Sequence, residues 1–181
     1  MKTLLLFCFA AAVILRAEPV TLDLGSRGQL TLYLADRWKT MSTDMGGNVT
    51  LTLTPVDDAN AMAQLQVSFP EQDRLNTKSR LKLRVETDCY AMAEGSVERK
   101  AQARESTLRS GYGFHCDFTD PELVGRPPEK GNYKVMSIGK IRLAPDVLVD
   151  LSISADGFRD QPYQEILGAI EGMEYTPARS R

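Results

Sequence analysis

The chain has little of the residue types that metal and redox sites require. Its 181 residues include one histidine, His115, and three cysteines, of which Cys8 lies in an N-terminal apolar run. A structural zinc site takes four ligands, mostly Cys and His, so this composition argues against one. Cys89 and Cys116 stand 27 positions apart, so they do not form the C-x-x-C motif of thiol oxidoreductases. We therefore expect no bound metal.

Phosphate-binding motifs and an excess of basic charge are also missing. The chain contains neither G-x-x-x-x-G-K-[ST] nor G-x-G-x-x-G, the glycine-rich motifs that hold nucleotide phosphates. Its formal net charge is −2. A mildly acidic domain lacks the basic footprint that nonspecific nucleic-acid binding needs. We therefore expect no cofactor and no nucleic-acid partner.

Long apolar runs are confined to the N-terminus. Residues 4–15 are apolar, they follow Lys2, and Ala17 ends the segment before a polar residue. This pattern predicts a secretory signal peptide at residues 1–17, because about 20 apolar residues are needed to span a bilayer. An uncleaved N-terminal anchor is the alternative. Loss of Lys2 and Arg16 would change the net charge from −2 to −4. We expect a periplasmic or secreted protein with no membrane span after cleavage.

Alternating apolar and polar residues dominate the remaining chain, which we assign to one domain, residues 18–176, and a short tail, residues 177–181. Two alternating segments joined by the turn GSRG predict a β-hairpin, because alternation places one strand face in a core. The predicted strands lie at 20–24, 30–34, 49–53, 65–69, 112–119, 133–143 and 147–154, with a polar connection at 56–63 and a weak edge strand within 97–109.

Residues 76–95 carry two patterns at once. Leu81, Leu83 and Val85 alternate as in a strand, whereas Leu81, Val85 and Cys89 recur at the spacing of one helical face. The length of the segment, the capping residues at its start and the glycine at its end favour a helix.

A second helix is predicted after Asp160, because Tyr163, Ile166 and Ile170 fall on one helical face. Several hairpins and two separated helices predict an α+β domain with a mainly antiparallel sheet flanked by helices.

Cys89 and Cys116 are the cysteines that remain after the predicted signal peptide. An even number of cysteines in an exported chain predicts a disulfide bond. Cys89 lies on the apolar stripe of the predicted helix and Cys116 on the aromatic face of a predicted strand, so the bond would join helix to sheet. Closing a loop of this size stabilises a fold by about 3 kcal/mol. Two free buried thiols are the alternative.

The segment GYGFHCDFTD, residues 111–120, groups the chain's most reactive side chains. On a strand, His115 and Asp117 share one face, and an aspartate there could orient the imidazole for acid–base catalysis. No serine nearby stands in a nucleophile motif, so we predict no catalytic residue and keep His115, Asp117 and Asp120 as weak binding candidates. Asp117, Asp120 and Glu122 could offer oxygen ligands to calcium, but the EF-hand spacing and its glycine are absent.

Two other features have simple interpretations. Basic residues between positions 78 and 109 are interrupted by acidic ones, which favours a solvated surface over an anion site. Trp38, the sole tryptophan, follows a predicted strand and is expected in the core rather than in a binding site.

The order of elements suggests a family. A hairpin ends in LADRW, two strands lead to a long helix, and VLVDLSIS precedes a last helix with EILGAIEGMEY. With the region GYGFHCDFTD and GNYKVMSIGK, this order resembles the PsbP/Mog-like superfamily, in particular its small exported bacterial members. The resemblance covers nearly the whole mature chain and implies an α/β/α sandwich around an antiparallel sheet. Members of the superfamily are mostly non-catalytic binding or accessory proteins, and none of their functional residues transfers to this sequence.

These features predict an exported, non-catalytic binding or accessory domain that engages a protein or cell-envelope component. The first alternative is a small-ligand carrier with an apolar pocket between sheet and helix. The second is a small hydrolase that uses His115 and Asp117. A hydrolase requires an open pocket at that strand face and a third polar group within hydrogen-bond reach.

Overall fold

The computed structural model describes residues 17–70 and 74–178. Most of the predicted signal peptide, residues 1–16, and the end of the predicted tail, residues 179–181, lie outside the described residues. Ala17, the last residue of the predicted signal peptide, is the first residue of the first strand.

The described chain contains ten strands and two α-helices, besides one turn of 3-10 helix, Gly25–Arg27, between the first two strands. In chain order they are β1 (Ala17–Asp23), β2 (Gly28–Ala35), β3 (Trp38–Met45), β4 (Asn48–Pro55), β5 (Ala61–Ser68), α1 (Lys78–Gly95), β6 (Arg104–Ser106), β7 (Tyr112–Thr119), β8 (Val135–Ala144), β9 (Val147–Ala155), α2 (Gln161–Glu171) and β10 (Glu174–Pro177).

The strands of the described chain form two sheets, and every strand pair is antiparallel. The large sheet has seven strands in the order β3-β4-β5-β9-β8-β7-β6, and the small sheet has three in the order β1-β2-β10. The prediction of a mainly antiparallel, sheet-rich domain with two helices is confirmed. The strands are divided between two sheets, however, because the N-terminal hairpin pairs with the C-terminal strand rather than with the rest.

The main core is formed by the large sheet, the small sheet and α2. Leu30 and Leu32 of β2, Leu53 of β4, Val149 of β9 and Ile166 of α2 are all fully buried in it. Burying one such side chain stabilises a fold by about 1.5–3 kcal/mol. This core is the larger of the two and carries most of the hydrophobic stabilisation.

A second, smaller core lies beneath α1. Leu81, Val85 and Cys89 recur along one face of the helix and pack with Phe114 and Cys116 of β7. The helix predicted for this segment is confirmed, because its stripe at every fourth residue is the one that is buried.

Strand β9 shows that the two cores lie on opposite faces of the large sheet. Val147 and Val149 belong to the main core, whereas Leu148 between them belongs to the small core. Neighbouring side chains of a strand point to opposite faces, so one strand contributes to both cores.

Strand β3 is missing from the sequence-based prediction. It lies at the edge of the large sheet, and its core-side residues Thr40 and Ser42 are polar and exposed, so apolar alternation is absent. A tight turn at Gly46 and Gly47, both with positive φ, joins it to β4. Trp38 at its start is buried, which confirms its predicted place in the core.

Two smaller points concern neighbouring elements. Strand β5 begins at Ala61, four positions before the predicted strand and inside the predicted polar connection. The weak edge strand predicted within 97–109 is present as β6. Neither helix of the described chain combines the length and hydropathy needed to cross a bilayer.

Candidate functional site

The two faces of β7 lead to two different candidate sites. His115 and Asp117 lie on the face shared with the main core, because their antiparallel partners on β8 lie on the same strand face as Ile141 of that core. Phe118, like its neighbours at every second position, lies on the opposite face, under α1. His115 and Asp117 therefore share one face, as predicted.

The polar face of β7 holds a connected cluster of side chains. Ser106 Oγ lies 2.9 Å from His115 Nδ1, and His115 Nε2 lies 3.7 Å from Asp117 Oδ1. With the proton on Nε2, His115 would face the carboxylate with a donor and accept from the serine hydroxyl at Nδ1. We call Ser106, His115, Asp117, Ser137 and Tyr163 the His115 cluster.

The remaining members of the cluster extend it to α2. Ser137 donates its hydroxyl proton to Asp117 Oδ1 at 2.5 Å, and its oxygen lies 2.6 Å from the hydroxyl of Tyr163. Since Ser137 has one proton and gives it to the carboxylate, Tyr163 is the donor in the second bond. Arg104 of the edge strand forms an ion pair with Asp117. The carboxylate is thus held by a hydroxyl and a guanidinium.

Burial sets the protonation of the cluster. It lowers the pKa of His115 from 6.5 to about 4, because desolvation disfavours the imidazolium and the charge of Arg104 adds repulsion. It also raises the pKa of Tyr163, whose phenolate would lose its hydration. At neutral pH both groups are uncharged.

The His115 cluster meets one requirement of a hydrolase and fails another. The third polar group is Ser106, within hydrogen-bond reach of the histidine. However, Ser106 is 7% exposed and His115 is 9% exposed, so a substrate has no access to the hydroxyl. An imidazole with a pKa of about 4 is also a weak base at neutral pH. The cluster therefore satisfies buried polar groups and joins β6, β7, β8 and α2.

Sequence reasoning missed three members of this cluster. Ser106, Ser137 and Tyr163 lie on three different elements and come together only through the strand order β8-β7-β6 and the packing of α2. Gly139, the partner of His115 on β8, contributes to the site by having no side chain. A Cβ added to Gly139 would lie 2.8 Å from the Cβ of His115, so glycine leaves room for the histidine.

The opposite face of β7 ends in an open cleft, which we call the helix-end cleft. It lies where the last turn of α1, the end of β7 and the loop 120–134 meet, and its volume is about 460 Å³. Ligand pockets commonly measure about 300–1,000 Å³. Its apolar, aromatic and acidic lining residues include Met92, Phe118, Asp120, Glu122, Tyr133 and Met136. Asp120, a predicted binding candidate, is thus separated from His115 and Asp117.

Glu98 fixes one wall of the helix-end cleft. The backbone N–H and the hydroxyl of Thr119 each donate to its carboxylate at 2.8 Å, and the N–H of Val97 donates to the Thr119 carbonyl at 3.0 Å. Partial burial by itself raises the pKa of Glu98, but the hydrogen bonds from Thr119 outweigh it and hold the pKa below its usual value. The chain after α1 is thereby tied to the end of β7.

Asn60 fixes the loop that forms the other wall. Its Nδ2 donates to the carbonyls of Glu129 and Asn132 at 3.0 and 3.1 Å and to Asp156 at 2.8 Å. Its Oδ1 accepts from the N–H of Gly131 at 2.9 Å. One side chain thus binds the far end of the loop 120–134 on both sides, and the two ends of this loop line the helix-end cleft.

Cys89 and Cys116 meet beneath α1, as the predicted packing of helix on strand requires. Both are buried, their side chains lie 3.3 Å apart, and both are free thiols in the structure. The hydrogen bond to Cys116, together with burial, raises the pKa of Cys89. The disulfide itself stays a prediction, for which the two residues are suitably placed.

Comparison with known proteins does not identify the chain. A search against protein-family models and a search of curated proteins both find no match. Within residues 17–70 and 74–178, no group of three or more His, Cys, Asp or Glu side chains is arranged to hold a metal ion. Function has to be inferred from the geometry of the two sites.

Proposed function

We propose that this chain is an exported, non-catalytic binding domain that engages a protein partner through the helix-end cleft. The observation that carries the proposal is the cleft itself, an open cavity of about 460 Å³ at the junction of α1, β7 and the loop 120–134. The N-terminal apolar segment supports export, and the proposed location of the domain is therefore the periplasm or the outside of the cell.

The cleft has the features of a binding site. Phe118 is buried at its floor, and Met92 is 41% exposed at its edge, so an apolar group entering the cleft would cover surface that water now contacts. Methionine adapts to the shape of its partner and is common at surfaces that bind peptides. Glu98 and Asn60 hold the walls, which lowers the entropy lost on binding.

We also propose that the fold is of the PsbP/Mog-like α/β/α type. The layering supports this, since α1 covers one face of the large sheet and α2 packs on the other. The small sheet beside α2 would then be an addition to the three layers. A binding role agrees with the mostly non-catalytic character of that superfamily, although fold alone does not determine function.

The experiment that tests the function fills the cleft. Gly95 lines the cleft, and a Cβ added there meets no atom within 4 Å, so the backbone at this position admits a larger side chain. We expect the indole of Gly95→Trp to obstruct the cavity. Gly168 on α2 is equally open and lies outside the cleft, which makes Gly168→Trp the matched control. Peptides selected from a random displayed library should bind the native chain, lose at least tenfold in affinity with Gly95→Trp, and bind Gly168→Trp normally. Equal binding to both variants would move the site elsewhere.

The same variants separate the alternatives. A sugar, lipid or cell-wall fragment that raises the Tm of the native chain but not of Gly95→Trp would make the protein a small-ligand carrier. The hydrolase alternative is favoured by the contact between Ser106 and His115. It requires that Ser106→Ala abolish hydrolysis of an activated ester, and we expect no such activity in either protein because the serine is buried.

A further inference from the structure

The charged groups around the helix-end cleft are unequal in sign. Asp120 and Glu122 line it with carboxylates, and Lys134 is the one cation among its lining residues. Within the described chain, none of these three takes part in an ion pair. Asp120 uses Oδ1 to accept the backbone N–H of Glu122 at 2.8 Å, which leaves its other oxygen available. The rim carries more negative than positive charge.

The end of α1 adds to this negative potential. Gly95 and Ser96 line the cleft, so the carboxyl-terminal end of an 18-residue helix faces it. Helix carbonyls at this end carry a partial negative charge. The last turn of α1 contains no basic residue that would neutralise it. A cation entering the cleft would therefore meet both the rim carboxylates and the helix terminus.

The interior of the cleft is apolar and partly aromatic. Met92 and Met136 supply flexible thioether side chains, and Phe118 and Tyr133 supply rings. An alkyl stem would pack on the methionines, and a cation near a ring face is attracted by the ring's quadrupole. An isolated anion would find apolar atoms inside and carboxylates at the entrance.

We propose that the helix-end cleft takes an ammonium group on an alkyl stem, the side chain of a lysine in the partner protein. This assignment rests on the proposed binding function and specifies its chemistry. The stem packs along the methionine and aromatic side chains, while the ammonium meets the carboxylates of Asp120 and Glu122 and the end of α1. Lysine side chains commonly lay their stems on apolar surface while the charged head stays at polar groups.

Lys134 is the group of this chain that competes with such a ligand. Lys134 lines the same cleft, and its positive charge repels a second cation. Removing that charge while keeping the length of the side chain, in Lys134→Met, should therefore strengthen binding of a cation and leave a neutral ligand unaffected.

The test compares three ligands that share one alkyl chain: hexylamine, 1-hexanol and hexanoate. Binding is followed in the purified protein by NMR of labelled methionine methyl groups, with Met92 and Met136 in the cleft and Met41 and Met62 outside it as references. We expect selective shifts at the two cleft methyl groups, and roughly three- to fivefold tighter binding of hexylamine than of hexanol. Hexanoate should bind most weakly.

The outcomes separate this proposal from the proposed function. Equal or tighter binding of hexanol or hexanoate at the cleft methyl groups would overturn the cationic ligand but keep the cleft as the binding site. Failure of all three to shift those methyl groups, together with failure of library peptides, would overturn both.

Matched variants test the charges themselves. Asp120→Asn should reduce the preference for hexylamine over hexanol towards one. Asp36→Asn removes the same charge from an exposed turn outside the cleft, and the preference should stay unchanged. Lys134→Met should increase the preference for hexylamine over hexanol. An equal loss in Asp120→Asn and Asp36→Asn would show that net charge, and not the cleft, determines the preference.

Discussion

The two faces of β7 differ in composition and in access. One face carries His115 and Asp117, whose side chains are bound to Ser106 and Ser137 and covered by α2 and the edge strand. The other face is apolar, and at Phe118 it opens into the helix-end cleft.

Reactive side chains are thus not the accessible ones in this strand. A histidine and an aspartate on one strand face invite a catalytic interpretation, but buried polar groups need partners. Here the imidazole is bound to Ser106, and the carboxylate is bound to Ser137 and ion-paired with Arg104. The apolar face ends under the last turn of α1, where the described residues leave the open helix-end cleft. The position at which α1 ends therefore decides which face of β7 a ligand can reach.

The largest predicted effect concerns the apolar face and its two cysteines. Oxidation of Cys89 and Cys116 should raise the free energy of unfolding by about 3 kcal/mol, because the bond would tie α1 to β7 and restrict the unfolded chain. Denaturant unfolding with and without reductant measures the difference. Cys89→Ala/Cys116→Ala, which has no bond to reduce, should unfold alike in both conditions.

Alkylation provides the deciding control for that prediction. The thiols are buried, so the protein must be unfolded in denaturant before the reagent is added. No label on the non-reduced protein and two labels after reduction agree with a disulfide. Two labels without reduction would leave the apolar face held by packing alone.

The next effect belongs to the polar face and depends on pH. The folded-state pKa of His115 is about 4, against 6.5 when the ring is in water. A histidine with a lowered pKa contributes its full stability above pH 6.5 and loses it as the pH falls towards 4. Between pH 7 and 4.5 the native protein should lose about 2 kcal/mol from this residue.

His115→Gln isolates this contribution, because carboxylates elsewhere titrate alike in both proteins. The variant will be less stable at pH 7, yet its free energy of unfolding should fall by about 2 kcal/mol less on acidification. Urea unfolding at several pH values gives the pH dependence of the free energy of unfolding for both proteins. An equal dependence in the two would mean that the imidazolium is tolerated in the fold and that the polar face is more open than its burial indicates.

Much of the fold follows from the sequence because its signals are local. The alternation in β2, β4 and β9 and the stripe of Leu81, Val85 and Cys89 each depend on burial of one face of one element. Strand β3 lacks this signal, since an edge strand with polar residues on its core side gains its place from pairing with β4. The division into two sheets depends on pairing of β10 with β2, which are more than a hundred residues apart.

The candidate site was less accessible to such reasoning. The sequence indicates Asp120 by its charge, but the cleft that it lines exists only because α1 ends beside β7 and the loop 120–134 folds back on both. The contact between Ser106 and His115 likewise needs β6 beside β7. These are properties of tertiary packing, and no pattern within 10–20 residues encodes them.

The smallest predicted effect tests whether the cleft on the apolar face depends on Asn60, which binds the loop but does not line the cleft. Asn60→Ala removes three hydrogen bonds between its side chain and the loop. All three are solvent-exposed, so water replaces most of what is lost, and the expected cost in stability is about 1 kcal/mol. The loop would then be less ordered, so the amide of Gly131 should exchange with solvent faster and ligands should bind the cleft more weakly. Hydrogen exchange and the methionine NMR titration measure the two effects.

Asn132→Ala is the matched control for the role of Asn60. It removes one hydrogen bond, from the Asn132 side chain to Glu129 at 2.9 Å, but leaves both backbone carbonyls for Asn60 to bind. Faster exchange at Gly131 in both variants would mean that the loop is generally weak rather than fixed by one residue. Faster exchange in Asn60→Ala with unchanged ligand affinity would mean that the end of β7 and α1 form the site by themselves, and the difference between the two faces of β7 would then depend on where the helix ends.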